Sequence, residues 1–139
     1  MIRPMTKQDL VSAQEIILAA QKGMMYDLAP FLQKCLKEKG ELSLVAREKE
    51  QVIGVIIGSL LGVLGMVDVL AVKHEFQGQG VGLALVQALS ERLRAQGARK
   101  LVVLSWEHSV AFYEKLGFRA DPSIHFMSRN IESSAEATV

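Results

Sequence analysis

Cysteine is nearly absent from this chain: Cys35 is the single one in 139 residues. That excludes an internal disulfide and any metal site built on paired cysteines, and it fits a reducing compartment. Its place on the apolar stripe of an expected helix marks it as a small core residue rather than a catalytic thiol. An excess of charge is lacking too. Lys plus Arg is 16, Asp plus Glu is 15, and the formal net charge is +1. No broad basic field exists to hold nucleic acid or another polyanion, so no nucleic-acid partner is expected. The opening Met1–Leu10 carries Arg3, Lys7 and Asp9 and no apolar core, so no secretory signal is expected. Repeats and low-complexity linkers are missing. Half of the residues are hydrophobic and 22% are charged, the balance of a globular chain. This length buries enough surface to fold without a metal or disulfide staple. The expectation is one domain over residues 1–131, a disordered tail at 132–139, and a cytoplasmic location.

One long apolar run is present. Val52 to Val67 are sixteen uncharged residues, with Gly54, Gly58 and Gly62 four apart. That spacing matches the packing motif of membrane helices. The run falls short of the roughly 20 residues a span needs, and Asp68 ends it. Its β-branched Val52, Ile53, Val55, Ile56 and Ile57 favour two strands, Val52–Leu60 and Leu64–Lys73, turning at Gly62. No membrane partner is expected.

The remaining periodicities give an order β-α-α-β-β-β-α-β-α-β-β, an α/β domain around one mixed sheet. Thr6 and Asp9 cap a first helix with Leu10, Ala13, Ile17 and Ala20 on one face, bending or ending around Gly23. Leu28, Phe31, Leu32, Cys35 and Leu36 give a second helix its stripe, with Gly40 as its stop. Leu42–Glu48 is a strand, and Arg47–Gln51 a charged turn. A long helix runs from about Gly80 to Gln96, capped by Gly97, and a short strand covers Lys100–Leu104. Ser109–Leu116 is a helix ended by Gly117. Phe118 and Ile124–Ile131 are expected to form a last hairpin turning at Asp121-Pro122.

The chemistry concentrates in Val69-Leu70-Ala71-Val72-Lys73-His74-Glu75-Phe76-Gln77-Gly78-Gln79-Gly80-Val81-Gly82. A buried strand enters a glycine-rich turn, and the turn enters a helix. Free N–H groups at a helix start, with the positive end of its dipole, attract a phosphate or pyrophosphate. The glycines let it approach closely. A Walker loop is excluded because no Gly-Lys-Ser/Thr follows. The dinucleotide fingerprint fails in both frames, since its third glycine falls on Leu83 or Leu85. Gln77, Gly80 and Gly82 do satisfy Gln/Arg-x-x-Gly-x-Gly/Ala, the acyl-CoA loop. A glycine-rich loop without a ligand shares that pattern.

About thirty residues downstream stands Phe112-Tyr113-Glu114-Lys115-Leu116-Gly117-Phe118. Two motifs in this order, at this distance and on these elements, resemble the GCN5-related N-acetyltransferase (GNAT) superfamily. The likeness spans Ile2 to Ile131 and is strongest from Asp68 to Phe118. It implies a GNAT-like fold: a mixed, mostly antiparallel sheet, splayed fourth and fifth strands, and about four helices. It also implies acetyl-CoA as co-substrate, with direct transfer to a primary amine on a small molecule or peptide. By this likeness the main chain of Leu70 and Val72 would hold the pantetheine and thioester. Gln77, Gly78, Gln79, Gly80, Val81, Gly82 and Leu83 would hold the pyrophosphate. Tyr113 matches the tyrosine that protonates the departing thiolate in many members. The alternative is a packing tyrosine; helix geometry puts Ser109, Phe112 and Leu116 on the core stripe and Tyr113 one residue off it, on a flank that can face the cofactor.

Asp68 matches a glutamate that deprotonates the amine in many members. Independently, a carboxylate interrupting an apolar strand costs energy unless paired or used. Burial would tune it as a base; the other account is a salt-bridged aspartate at the strand's solvent end. Trp106 stands where the family often has an asparagine touching the cofactor, and would pack over the pantetheine or line the acceptor pocket; an aromatic that only shields the surface is the alternative. The loop histidines His74 and His108 flank the two motifs. With His125 they lack ligand spacing, so no metal is expected. Arg92, Arg94, Arg99 and Lys100 suit the long helix's C-terminus, while Lys73, Gln79 or Lys115 would meet the 3′-phosphate. A non-catalytic acyl-CoA-binding module is the alternative activity, and a homodimer is compatible with the sequence.

Overall fold

The computed structural model describes residues 1–21 and 27–131. The bend expected at Gly23 and the tail expected at 132–139 lie outside the described residues. The elements are β1 (Ile2–Pro4), α1 (Leu10–Ala20), α2 (Ala29–Glu38), β2 (Ser43–Glu48), β3 (Gln51–Leu61), β4 (Leu64–Val72), α3 (Val81–Ala95), β5 (Lys100–Val103) and α4 (Val110–Lys115). One five-stranded sheet runs in the order β1-β2-β3-β4-β5. Neighbours are antiparallel except β4 and β5, which are parallel. This is the mixed α/β fold that the sequence implies.

Two apolar layers sandwich the sheet. On one face α1 and α2 bring Ala13, Ile17, Leu32 and Cys35 onto Val45, Val55, Ile57, Val69 and Ala71. On the other, α3 brings Leu85, Leu89 and Leu93 onto Leu44, Ile53, Ile56 and Leu70. Leu85, Leu89 and Leu93 are essentially fully buried, and each such side chain contributes roughly 1.5–3 kcal/mol. Ahead of α1, the Asp9 carboxylate accepts the Thr6 N–H at 2.8 Å and hydroxyl at 3.0 Å and pairs bidentately with Arg3 at 2.7 and 3.0 Å. Burial opposes its ionisation. These four donors outweigh it and hold Asp9 below the usual carboxylate range.

The apolar run with four-residue glycine spacing is the β3–β4 hairpin, turning at Gly62 with φ +60. Among the described residues, no helix is long and apolar enough to cross a membrane. Two of the glycines that mimic a membrane motif, Gly54 and Gly58, seat α3 together with Gly65. A Cβ on Gly54 would lie 2.9 Å from Leu85 Cδ1, on Gly58 2.8 Å from Leu89, and on Gly65 2.7 Å from Leu93. The leucine stripe of one helix thus fits the glycine track of one hairpin.

Three expectations change. α2 ends at Glu38 and is capped by Lys39, with φ −134, rather than through a left-handed Gly40. Phe31 is not part of the buried stripe. The C-terminal hairpin is not formed: among the described residues β5 is the last strand. Ile124, Phe126, Met127 and Ile131 are 64–100% exposed. Apolar Phe126 and Met127 are adjacent and Ser128 to Asn130 are polar, so no period-two face exists to bury. The turn itself is present, with Ser123 N–H and Oγ both donating to Asp121 Oδ1 at 3.0 and 2.6 Å.

Candidate active site

β5 accompanies β4 only from Leu64 to Val67. Beyond that, β4 is paired on the β3 side alone, and the two strands part. The Lys73 N–H donates to Ile53 O at 2.8 Å. By antiparallel alternation, Ala71 and Val69 also turn their polar groups toward β3. The N–H and C=O of Leu70 and Val72 therefore point outward along the free edge, where the sequence reading puts the pantetheine.

At the parting point the ladder skips. Ile57 faces Val69 and Gly58 faces Val67, so Asp68 is the extra residue of a β-bulge. The bulge turns Asp68 out of the core. Burial is not found: the residue is exposed, correcting one expectation. Its Oδ1 accepts the Ser59 hydroxyl at 3.1 Å, and its Oδ2 lies 3.4 Å from Lys39 Nζ. Lys39 and Ser59 were not foreseen. A lysine in a helix's last turn is already explained by the helix dipole, so nothing local flags it.

After Val72 a short turn at His74–Phe76 leads to Gln77. Gly78 with φ +78 and Gly80 with φ +86 then carry the chain into α3. Both are left-handed conformations that L side chains resist. The first helical bond is Ala84 N–H to Gly80 O. The six N–H groups from Gly78 to Leu83 donate to nothing among the described residues. Together with the helix dipole they form a main-chain anion cradle. Gln77 does not join it: its N–H already donates to His74 O at 3.2 Å, and its Nε2 donates to Val72 O at 3.1 Å and braces the loop against the strand end. Gln79 likewise donates to Glu75 O. Gly82 is not an empty spot, since a Cβ there would meet Phe112, Val72 and Leu116 at 3.6 to 3.9 Å. Val81 is tucked against Gly54, while Leu83 is exposed.

α4 is turned from its expected face. Phe112 is 39% exposed and leans toward the start of α3. Tyr113 is the side chain that packs inward, edge-on to Phe112 and Phe118 at 5.1 and 5.7 Å. Burial pushes its phenol up, so it stays a proton donor well into the alkaline range. Its hydroxyl makes no hydrogen bond among the described residues and is not sealed off from solvent. Trp106, at the exit of β5, is 78% exposed. His74 and His108 sit in short surface turns. Lys73 is spent on Gln51 at 3.0 Å and Glu75 at 3.9 Å. Arg94, Arg99 and Lys100 line a cleft at the far end of α3, away from the cradle. Among the described residues, no three metal-ligating side chains come together. Cys35 is buried, and burial pushes its thiol up.

A mixed sheet with a half-open fourth strand that ends in a main-chain anion cradle is the architecture of acyl-CoA-dependent N-acyltransferases. The chain matches the acetyltransferase (GNAT) domain over residues 9–133, and it belongs to that family. An acetyltransferase of Yersinia enterocolitica is 30% identical over 103 residues, covering 72% of this chain and 73% of that protein. A glucosamine 6-phosphate N-acetyltransferase of Trypanosoma brucei brucei is 42% identical over 57 residues, 41% of this chain; the match spans only 39% of that protein. Among solved structures, an aminoglycoside 6′-N-acetyltransferase from Acinetobacter haemolyticus superposes with a TM-score of 0.77 at 18% identity, covering 95% of this chain and 99% of that one. At that identity the likeness shows the fold alone.

Proposed function

We propose that this chain transfers the acetyl group of acetyl-CoA directly onto a primary amine within a ternary complex. The observation that carries this is the continuity of two features: an outward-facing edge at Leu70 and Val72, then six N–H groups from Gly78 to Leu83 that are unpaired among the described residues. An extended pantetheine suits the edge by strand-like pairing, and a pyrophosphate suits the cradle. Gln77 holds the two in register through Val72 O. Asp68 takes the amine proton, directly or through water, and the Tyr113 hydroxyl gives a proton to the departing thiolate. Trp106 covers the pantetheine or walls the acceptor pocket. The buried thiol of Cys35 offers no exposed nucleophile, which supports direct transfer over a covalent intermediate.

One sequence relative is named for an amine on a sugar, glucosamine 6-phosphate, so amino sugars lead the candidate acceptors and peptide amines follow. A lone buried thiol suits work in the cytoplasm. The test is a panel of amino sugars, diamines and peptides with acetyl-CoA, following free thiol release. Acetyl-CoA at a hundred times its Kd should also stabilise the fold by about 2.7 kcal/mol. No thermal shift, and no thiol release above hydrolysis with any amine, would defeat the proposal.

A further inference from the structure

We propose that Lys39 is an acetyl acceptor in cis, modified by the chain's own site; this rests on the acetyl-transfer reading above. Its ammonium is already where an acceptor's would be, 3.4 Å from Asp68 Oδ2. Two separate backbone devices converge on this contact. The bulge in β4 aims Asp68, and Ser59 Oγ donates to its other oxygen at 3.1 Å. The main chain of Lys39 is pinned three times. Its N–H donates to Cys35 O at 2.8 Å, and its carbonyl accepts the Leu42 N–H at 3.0 Å and the Ser43 hydroxyl at 2.9 Å. Ser43 is fully buried for that purpose. The side chains of Lys39 and Asp68 are 34% and 27% exposed, and an ion pair that wet adds little to stability. Stability therefore does not explain the arrangement. Lys73 and Lys100 pair with Glu75 and Asp121, away from the bulge.

Asp68 lies two residues, about 7 Å of strand, from Leu70. The lysine stem is flexible, so Nζ can swing from Asp68 toward that edge while the backbone stays pinned. In the reaction the ammonium loses one proton to the Asp68 carboxylate, which passes it to solvent. The freed lone pair of Nζ attacks the thioester carbonyl carbon; the N–C bond forms and the C–S bond breaks. The second nitrogen proton balances the one that Tyr113 gives to the thiolate. One acetyl-CoA becomes one CoA thiol and one acetyl-lysine. The neutral amide no longer pairs with Asp68, which is then free for an external amine.

The experiment incubates the purified chain with acetyl-CoA and follows intact mass and peptide maps over time. We expect one acetyl group per chain, on Lys39, at a first-order rate independent of protein concentration. Asp68→Asn and Gly80→Val should each slow it by about 10²-fold or more, and Lys39→Arg should remove it. Melting temperatures show that each variant is folded, and the map of the unmutated chain locates the label without any of them. Labelling of Lys39 no faster than exposed Lys7 or Lys49, a rate that rises with protein concentration, or full labelling of Asp68→Asn would overturn the proposal. If Lys39 stays unmodified while an external amine is acetylated, self-transfer fails and the acetyltransferase reading stands. If acetyl-CoA neither shifts the melting temperature nor yields thiol with any amine, both fail.

Discussion

Gly80 and Gly82 are two residues apart in one loop, yet their alanine variants should move stability in opposite directions. Gly80 has φ +86 and ψ 5, and a Cβ there would meet nothing within 4 Å. The penalty is therefore conformational, about 1–2 kcal/mol for an L residue held left-handed. Gly82 lies inside the first turn of α3, where an added Cβ makes only ordinary contacts with Phe112, Val72 and Leu116. Alanine there recovers helix propensity of about 0.5–1 kcal/mol. At about 2–4 °C per kcal/mol for a domain near this size, Gly80→Ala should melt lower by roughly 2–8 °C, and Gly82→Ala should hold or rise slightly. Ligand response separates them further. The Cβ of residue 82 points toward α4, away from the cradle, so Gly82→Ala should keep the acetyl-CoA shift. A branched side chain at 80 stands over the N–H row, so Gly80→Val should lose it. Scanning calorimetry with and without acetyl-CoA reads both quantities. Equal melting temperatures for Gly80→Ala and the parent would refute the strain argument, and a full acetyl-CoA shift in Gly80→Val would refute the cradle.

Tyr113→Phe should lower kcat by about 10²-fold or more at unchanged acetyl-CoA affinity; equal turnover with chemistry rate-limiting would leave it a packing residue. Because burial raises the Tyr113 phenol, any alkaline limb it causes should fall above the ordinary phenol range. Gly58→Ala should cost about 1–3 kcal/mol, since its Cβ would sit 2.8 Å from Leu89 and 2.9 Å from the immovable Met66 carbonyl; an unchanged denaturation midpoint would show that α3 can lift off its track. Asp9 is held below its unfolded value, so its contribution is present above the ordinary carboxylate range and is lost as pH falls through the lowered value. Asp9→Asn should therefore destabilise at neutral pH and flatten the acid side of the stability profile, and an unaltered acid slope would count against it.

The loop and its flanking elements were legible because backbone chemistry writes itself into glycine spacing. Gly78 and Gly80 must be glycine for their dihedrals, and a strand must precede them for the turn to point at a ligand. Tyr113 was found by its motif and misplaced by helix periodicity. Apolarity alone ranks Phe112 as core, but the chain buries the tyrosine and leaves Phe112 leaning on α3. Asp68 was found as an oddity in an apolar strand. Its exposure was not, because a bulge is a property of two strands together. The motif alone makes Gln77 a phosphate contact, because its role as a brace depends on a carbonyl five residues back. The Lys39 contact joins residues 29 apart, which no local pattern encodes. The C-terminal segment differs in the opposite way: its apolar content predicts a strand, but its alternation fails, and no hairpin forms among the described residues.

The arrangement of β4 explains how a sheet edge can stay open at a working site. An unpaired strand edge invites aggregation and lacks half of its ladder bonds. Here Val69 and Ala71 are clamped by the α1 and α2 layer, and Leu70 by the α3 layer. All of Val69 to Val72 are buried. Burial on both faces therefore fixes the strand without help from β5, which can leave at Val67. The edge carbonyl of Val72 is satisfied from within by Gln77, which also sets where the cradle begins. What remains open are both polar groups of Leu70 and the N–H of Val72, between the bulge on one side and the braced carbonyl on the other. The free edge is thereby reduced to two residues, about 7 Å of strand, which is too short to template another strand and still offers main-chain groups to an extended ligand.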